Sequence, residues 1–370
     1  MANMDTKNFY WLAFNMIPGI GCKTTRQLLE VVEEPENLFS ETRKGLEAIF
    51  GNRTKIIDAI VSKSMFDEAE RELKFATDNN IDILTYDNPK YPQRLKRAEC
   101  DDCPTVLFYK GSAELNMQKV VSIVGTRKVT EYGKKMVDEL VGGMMSEGIL
   151  VVSGLAYGVD TCSHKAALQY GLPTVGVLGH GLNMIYPAEN RNLAKDMLAC
   201  GGLLTEYSSQ TKLETHNFPA RNRIIAALSD AVIVIEAAKK GGALITAEIA
   251  NGYNREVFSV PGKVGETYSE GCNNLIKNHK ANLIQTVQDM YYVMGWKNNK
   301  KTNVVQTTLF PELNADEKVI YDLLLQNSEL TLDEFVAKSD LSLPKIASIL
   351  LNLELKNIIV CLPGKKYKIM

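Results

Sequence analysis

At 370 residues, with 45% hydrophobic and 23% charged side chains, the chain has a globular composition and enough length for two or three domains, each with its own core. A formal net charge of -2 excludes a global positive field, so any contact with nucleic acid must come from a local patch. Met1 to Asn15 lacks a signal-peptide pattern, no apolar run reaches the roughly twenty residues that span a bilayer, and the seven cysteines have no framework spacing. A cytoplasmic protein with no membrane partner is the expectation.

Residues 1–80 read as a domain of short helices. In it, Ile17-Pro18-Gly19-Ile20-Gly21 precedes an amphipathic run from Cys22 to Leu29, a pattern similar to a SAM or helix-hairpin-helix element. Either its glycine amides, with Lys23 or Arg26, meet a phosphate, or the hairpin serves packing alone. Residues 81–111, punctuated by Pro89, Pro92 and Pro104, read as a connector. Cys100-Asp101-Asp102-Cys103 supplies only two of the four ligands of a structural zinc site, and Pro104 argues against a redox helix, so ordinary loop cysteines are expected and no metal.

From 112 to 292 short β-branched runs alternate with helical segments. Strands are predicted at 120–124, 149–152, 174–178, 203–205, 231–236, 256–260 and 282–284, with a clear amphipathic helix over 133–147. Strands apolar on both faces and separated by helices imply an α/β fold with a doubly wound, mostly parallel, Rossmann-like sheet. Residues 293–312 have a linker composition. Residues 313–370 give three helices and a hairpin turning at Pro363-Gly364, the winged-helix pattern. The third of these helices has few basic residues, which favours protein contact or packing over sequence-specific groove reading.

In an open parallel sheet the ligand sits outside the carboxyl ends of the strands. The residues that fall there are Gly125, Thr126 and Arg127; Ser153, Gly154, Tyr157 and Gly158; Gly179 and Gly181; Phe218, Arg221, Asn222 and Arg223; Gly241, Gly242 and Thr246; and Lys263. Lys128 and Lys239-Lys240 stand in the same loops. Glycine-freed amides, guanidinium and ammonium groups and hydroxyls suit successive phosphates, while Phe218, Tyr157 and Tyr186 suit base stacking. Arg221 and Arg223 at a helix start oppose the helix dipole, which favours an anion contact for both. His164 reads as a packed histidine. No GxGxxG, Walker loop, HExxH or nucleophile with its base is present, so no cofactor and no catalytic residue is expected.

These blocks together resemble the DNA-processing protein A family, also called the Smf family. The matching text is Val124-Gly125-Thr126-Arg127, Ser153-Gly154-Leu155-Ala156-Tyr157-Gly158-Val159-Asp160 with His164, Val177-Leu178-Gly179-His180-Gly181 with Tyr186-Pro187, Phe218-Pro219-Ala220-Arg221-Asn222-Arg223-Ile224-Ile225, Gly241-Gly242-Ala243-Leu244-Ile245-Thr246-Ala247, Val260-Pro261-Gly262 and Gly271-Cys272-Asn273-Asn274-Leu275-Ile276. The resemblance implies a non-enzymatic, single-stranded DNA-binding mediator. Such a protein shields incoming DNA, loads RecA recombinase during natural transformation in competent cells, and dimerises through the Rossmann-like domain. It assigns Arg127, Arg221, Arg223 and the glycines at 154, 158, 179, 181, 241 and 242 to the DNA pocket. Tyr157 stands where the family often has a basic residue, Gly241 where it usually has serine, and Asn278-His279-Lys280-Ala281 replaces its Gly-Ala pair. The competing reading is a phosphoribohydrolase-like enzyme acting on nucleoside monophosphates, in which Glu248 of Lys240–Glu248 is the acid or base.

Overall fold

Runs such as Lys119–Val124 and Ile149–Ser153 are apolar or small at nearly every position, so a strand made from them hides both faces. A computed structural model describes residues 2–296 and 314–369, apart from 328, 340, 357 and 363–365. The chain divides into two units, Met1–Asn299 and Lys300–Met370. Most of the expected linker, from 297 on, and the turn at Pro363-Gly364 lie outside the described residues.

The first unit begins with six helices: α1 (Ala2–Asn15), α2 (Cys22–Val32), α3 (Pro35–Ser40), α4 (Arg43–Phe50), α5 (Thr54–Ser62) and α6 (Phe66–Asp78). Two strands follow, β1 (Asp82–Thr85) and β2 (Val106–Gly111), in the stretch that reads as a connector. Then come β3 (Lys119–Val124), α7 (Glu131–Gly142), β4 (Ile149–Ser153), α8 (Val159–Gln169), β5 (Thr174–Val177), α9 (Arg191–Met197) and β6 (Gly202–Thr205). The unit continues through α10 (Asn217–Leu228), β7 (Ala231–Val234), α11 (Gly242–Gly252), β8 (Glu256–Ser259), α12 (Glu270–Lys277), β9 (Asn282–Leu283) and α13 (Val287–Val293).

The sheet order is β1-β2-β6-β5-β4-β3-β7-β8-β9. From β6 to β9 every pairing is parallel, whereas β2 joins β6 and β1 joins β2 in antiparallel register. The chain thus winds outward from β3 to β6, returns to the other side of β3 and winds outward again. That reversal leaves a switch point between β3 and β7.

Alternate residues of each strand feed opposite cores. Val121, Ile123, Val151 and Ile233 pack with Met136, Val137 and Leu140 of α7, while Val120, Val124, Val152 and Val232 pack with Ile224 and Ile225 of α10 and Ala247 of α11. Burying one such Val or Ile contributes about 1.5–3 kcal/mol.

The two antiparallel strands attach the helices to the sheet. Ile83, Val106 and Phe108 share a core with Trp11, Phe14 and Leu46. The buried Glu72 carboxylate of α6 accepts from the Ser209 amide at 2.9 Å and from its hydroxyl at 2.6 Å, fixing α6 to the loop after β6. Sequence alone hides these strands because prolines and charges interrupt the intervening stretch, so no period is sustained.

The second unit contains α14 (Ala315–Gln326), β10 (Leu330–Thr331), α15 (Leu332–Lys338), α16 (Leu343–Leu355), β11 (Ile359–Leu362) and β12 (Lys366–Ile369). Its sheet order is β10-β12-β11, and its core gathers Ile320, Leu324, Phe335, Ile346, Leu350 and Leu353. Capping boxes at Asn314/Glu317 and Thr331/Glu334 start α14 and α15. Lys345 of α16 is paired with Asp316 at 2.7 Å, and Lys356 behind it with Glu317 at 2.7 Å. Among the described residues, no helix is long and apolar enough to cross a membrane.

Candidate nucleic-acid interface

The loops that leave β3, β4 and β7 are tied to one another before any ligand enters. The Thr126 amide donates to the Glu236 carbonyl at 2.7 Å, and the Val159 amide at the start of α8 donates to the Thr126 carbonyl at 3.1 Å. This closeness requires glycine at 158, where φ is +77° and a Cβ would stand 2.3 Å from the Thr126 oxygen. Asp160, buried at the next position of α8, accepts from the Gly154 amide at 3.1 Å and the Ala156 amide at 3.2 Å. Burial raises its carboxyl pKa, and the nearby charge of Arg221 opposes that rise.

These ties frame a cleft of about 470 Å³ at the switch point. Gly125, Thr126, Arg127 and Lys128 form one wall, Phe218, Pro219 and Asn222 of α10 another, and Lys240, Gly241, Gly242 and Thr246 a third. Arg127, Lys128 and Lys240 are exposed and make no ion pair among the described residues. The amides of Gly242 and Ala243, first in α11, likewise have no acceptor among the described residues, and no side chain caps them. The Arg127 guanidinium lies 5.9 Å from the Phe218 ring centre, and Tyr186 lies 5.7 Å from Phe218 at a tilt of 42°. Gly179 makes room for that ring, since a Cβ there would meet Phe218 at 3.0 Å. His180, held neutral by burial, accepts from the Tyr186 amide at 3.3 Å and so places the outer aromatic.

The two arginines expected together part company. Arg221 is 4% exposed and reaches the cleft wall, but its Nη1 donates to the carbonyls of Gly154, at 2.7 Å, and Val177. Burial lowers its pKa to about 10, with Asp160 acting in the opposite direction. Its main contacts therefore join the ends of β4 and β5 to α10.

Arg223 turns away from the cleft altogether, correcting the expectation of a second anion contact. Its Nη1 and Nη2 donate to Glu206 at 2.5 and 2.7 Å, its Nε to the Asp102 carbonyl at 3.1 Å, and its Nη2 approaches the Cys22 sulfur at 3.8 Å. Burial works against the charge, but Glu206 prevails and holds the pKa above the ordinary arginine value. The cost of a cation near a helix start is met by a carboxylate of the protein rather than by a ligand.

Several other expected residues stand apart from the cleft. Lys263 lies in a neighbouring cleft of about 700 Å³, 3.7 Å from Glu266. The Tyr157 hydroxyl donates to Glu189 at 2.5 Å, and Ser153 is buried with its hydroxyl on the Ile123 carbonyl at 2.6 Å. Gly181 allows a close crossing with Ser208, whose oxygen a Cβ would meet at 2.4 Å. His164 is buried against Thr174 at 2.7 Å, with its pKa down to about 3 from burial and then from Arg221. Glu248, the acid of the enzymatic reading, pairs with Lys280 at 2.9 Å and does not line the cleft. Lys128 and Lys240, which are not among the expected contacts, line it as well; their place in strand-end loops is the sequence signal that marks them.

With this geometry in view, the DNA recombination-mediator protein A family model matches residues 82–295, and the DprA winged helix domain model matches residues 307–365. The chain belongs to the DNA recombination-mediator protein A family. The family match begins at Asp82, the first residue of β1. Protein Smf of Synechocystis is 32% identical over 401 residues, with the whole of both chains covered. DNA processing protein DprA of Streptococcus pneumoniae is 38% identical over 271 residues, covering 72% of this chain and 92% of the relative. The solved structure of the pneumococcal DNA processing protein A superposes with a TM-score of 0.66 at 33% identity, covering 77% of this chain and 97% of that one. The Helicobacter pylori structure, described for its single-stranded DNA binding mode, gives 0.52 at 29% identity over 58% of this chain and 95% of its own.

Proposed function

We propose that this chain binds single-stranded DNA in the switch-point cleft and acts as a recombination mediator. The observation that carries the reading is the convergence of Arg127, Lys128 and Lys240 on the free amides of α11, with no carboxylate assigned to any of the three among the described residues. Phosphates satisfy the cations and amides, and Phe218 with Tyr186 offers a face to a base. Membership of a DNA-processing family, and a relative described for single-stranded DNA binding, support the same ligand. In this reading Arg221 and Asp160 position the cleft, and Arg223 with Glu206 fixes α10 from behind.

The mediator role is the shielding of incoming DNA and its transfer to RecA during natural transformation, by a cytoplasmic protein that dimerises through the Rossmann-like domain. The test is fluorescence anisotropy with single- and double-stranded oligonucleotides across a salt series, followed by RecA filament assembly with and without the protein. Three engaged cations give a slope of log K against log salt of about -2 on a single strand. Binding indifferent to salt, or a preference for duplex, would sink the cleft reading. Unaltered filament assembly would sink the transfer role alone.

A further inference from the structure

We propose that the junction between the helices and the sheet holds a second phosphate-binding site, in which Arg26 and Lys96 converge over Tyr86 to hold a backbone phosphate of the same single strand. This rests on the reading of the switch-point cleft given above. The Tyr86 ring centre has the Arg26 guanidinium at 5.2 Å and the Lys96 ammonium at 5.0 Å; Lys96 is also 5.6 Å from the Tyr91 ring centre. Ring faces attract each cation, but two like charges on one ring oppose each other, and a shared anion relieves that opposition.

Among the described residues no carboxylate forms an ion pair with Arg26 or Lys96, although Asp87 acts on Lys96 and Asp101 on Arg26 through space. Asp87 is taken by Lys7, and Asp101 by Lys23 at 2.7 Å. Glu30, exposed on α2, makes no ion pair among the described residues. Arg26 uses its Nη2 on the Leu95 carbonyl at 2.7 Å, while its Nε is buried without a partner. A cleft of about 400 Å³ opens beside the group, lined by Lys23, Arg26, Tyr86, Lys96, Glu30 and Asp101 among others. An ammonium and a guanidinium with donors to spare beside open solvent suit one phosphate.

The strand, rather than a free anion, is favoured by where this cleft sits. Asp101 lines it; the carbonyl of the adjacent Asp102 accepts from Arg223; and Asn222, next to Arg223, lines the switch-point cleft. The two clefts are separated by two steps along the chain and one guanidinium. A strand that leaves the first cleft and passes around α10 presents later phosphates to the second at a raised effective concentration, which strengthens a contact that is weak alone. The glycine hairpin before α2, with Lys23 and Arg26 behind it, thus gains a role through its helix rather than through its amides.

The experiment compares oligothymidylates of about 6 and about 20 nucleotides, lengths on either side of common single-strand site sizes. In Lys96→Gln, affinity for the long strand falls roughly three- to tenfold and the salt slope by about 0.7, with binding of the short strand unchanged. Glu30→Gln, a surface change that leaves the fold alone, raises long-strand affinity roughly two- to threefold. Wild-type affinity for the long strand in Lys96→Gln, or an equal loss at both lengths, overturns the site. If inorganic phosphate raises the melting temperature and Lys96→Gln abolishes that rise without the length-dependent loss, the site belongs to a free anion and its place on the strand is overturned. The switch-point reading fails separately, when Arg127→Ala leaves short-strand affinity intact.

Discussion

The Arg127 guanidinium stands 5.9 Å from the centre of the Phe218 ring, so a cation from the loop after β3 leans on the first turn of α10. The ring orients the guanidinium without consuming its N–H donors, which stay available to an anion. Arg127→Ala is expected to weaken single-strand binding about tenfold and to reduce the salt slope by about 0.7. Phe218→Ala should weaken binding by about 1–3 kcal/mol with little change in slope, because stacking releases no counterions. Anisotropy titrations at several salt concentrations separate the two, and wild-type affinity in both variants would take the cleft off the DNA path.

Arg223 and Glu206 make the opposite prediction. Their side chains are only 16% and 13% exposed, so removing one leaves the other charged and poorly solvated. Arg223→Met should cost about 3–5 kcal/mol in urea denaturation, and adding Glu206→Leu should restore much of it. At a temperature where the variant is folded, its DNA affinity should fall less than that of Arg127→Ala. A loss of DNA binding as large as that of Arg127→Ala, with stability intact, would return Arg223 to the interface.

What the sequence made legible was whatever a local pattern specifies. Seven β-branched runs located the parallel strands, because that signal is set within a few residues, whereas of the strand-end glycines Gly125, Gly241 and Gly242 line the cleft and Gly154, Gly158, Gly179 and Gly181 permit close packing around it. The partner of a charge is not local. Glu206 lies 17 residues before Arg223, and nothing in the intervening text tells whether a guanidinium at a helix start meets a phosphate or a carboxylate. The same holds for β1 and β2, whose pairing with β6 fixes them although their own sequences show no sustained alternation. Lys263 illustrates a third limit: its loop follows a parallel strand, yet it opens into the neighbouring cleft.

His164 predicts a pH effect. Its imidazole is buried and neutral, with a pKa down to about 3, against an ordinary value of about 6.5 in the unfolded chain. Below about pH 6.5 the unfolded state binds a proton that the folded state refuses, so stability is lost as pH falls from there toward 3. Between pH 7 and pH 5 the loss from this residue is about 2 kcal/mol. His180, also lowered by burial, adds in the same sense, whereas Asp160, raised by burial, gains stability as pH falls. Urea denaturation at pH 5, 6 and 7 should show a flatter dependence in His164→Gln, with the residue of the slope left to His180. Identical slopes in both proteins would mean that His164 is solvated.

Two glycines of the cleft should respond in opposite ways. At Gly158, φ is +77° and an added Cβ would lie 2.3 Å from the Thr126 oxygen and within 2.7 Å of the Arg127 backbone. Gly158→Ala should therefore cost about 2–4 kcal/mol and, by displacing the Arg127 loop, weaken DNA binding in the protein that remains folded. Gly241 has an extended backbone, with φ at -169°, and a Cβ there meets nothing within 4 Å. It is the N-cap of α11, so Gly241→Ser, which restores the residue usual in the resembled motif, should change stability by only a few tenths of a kcal/mol. Its hydroxyl stands beside the free amides and adds one donor for a phosphate, so affinity should be equal or up to roughly twofold higher. A serine variant that loses DNA binding while staying folded would show that the strand backbone needs the space at 241, and would move the DNA path closer to α11 than the open cleft implies.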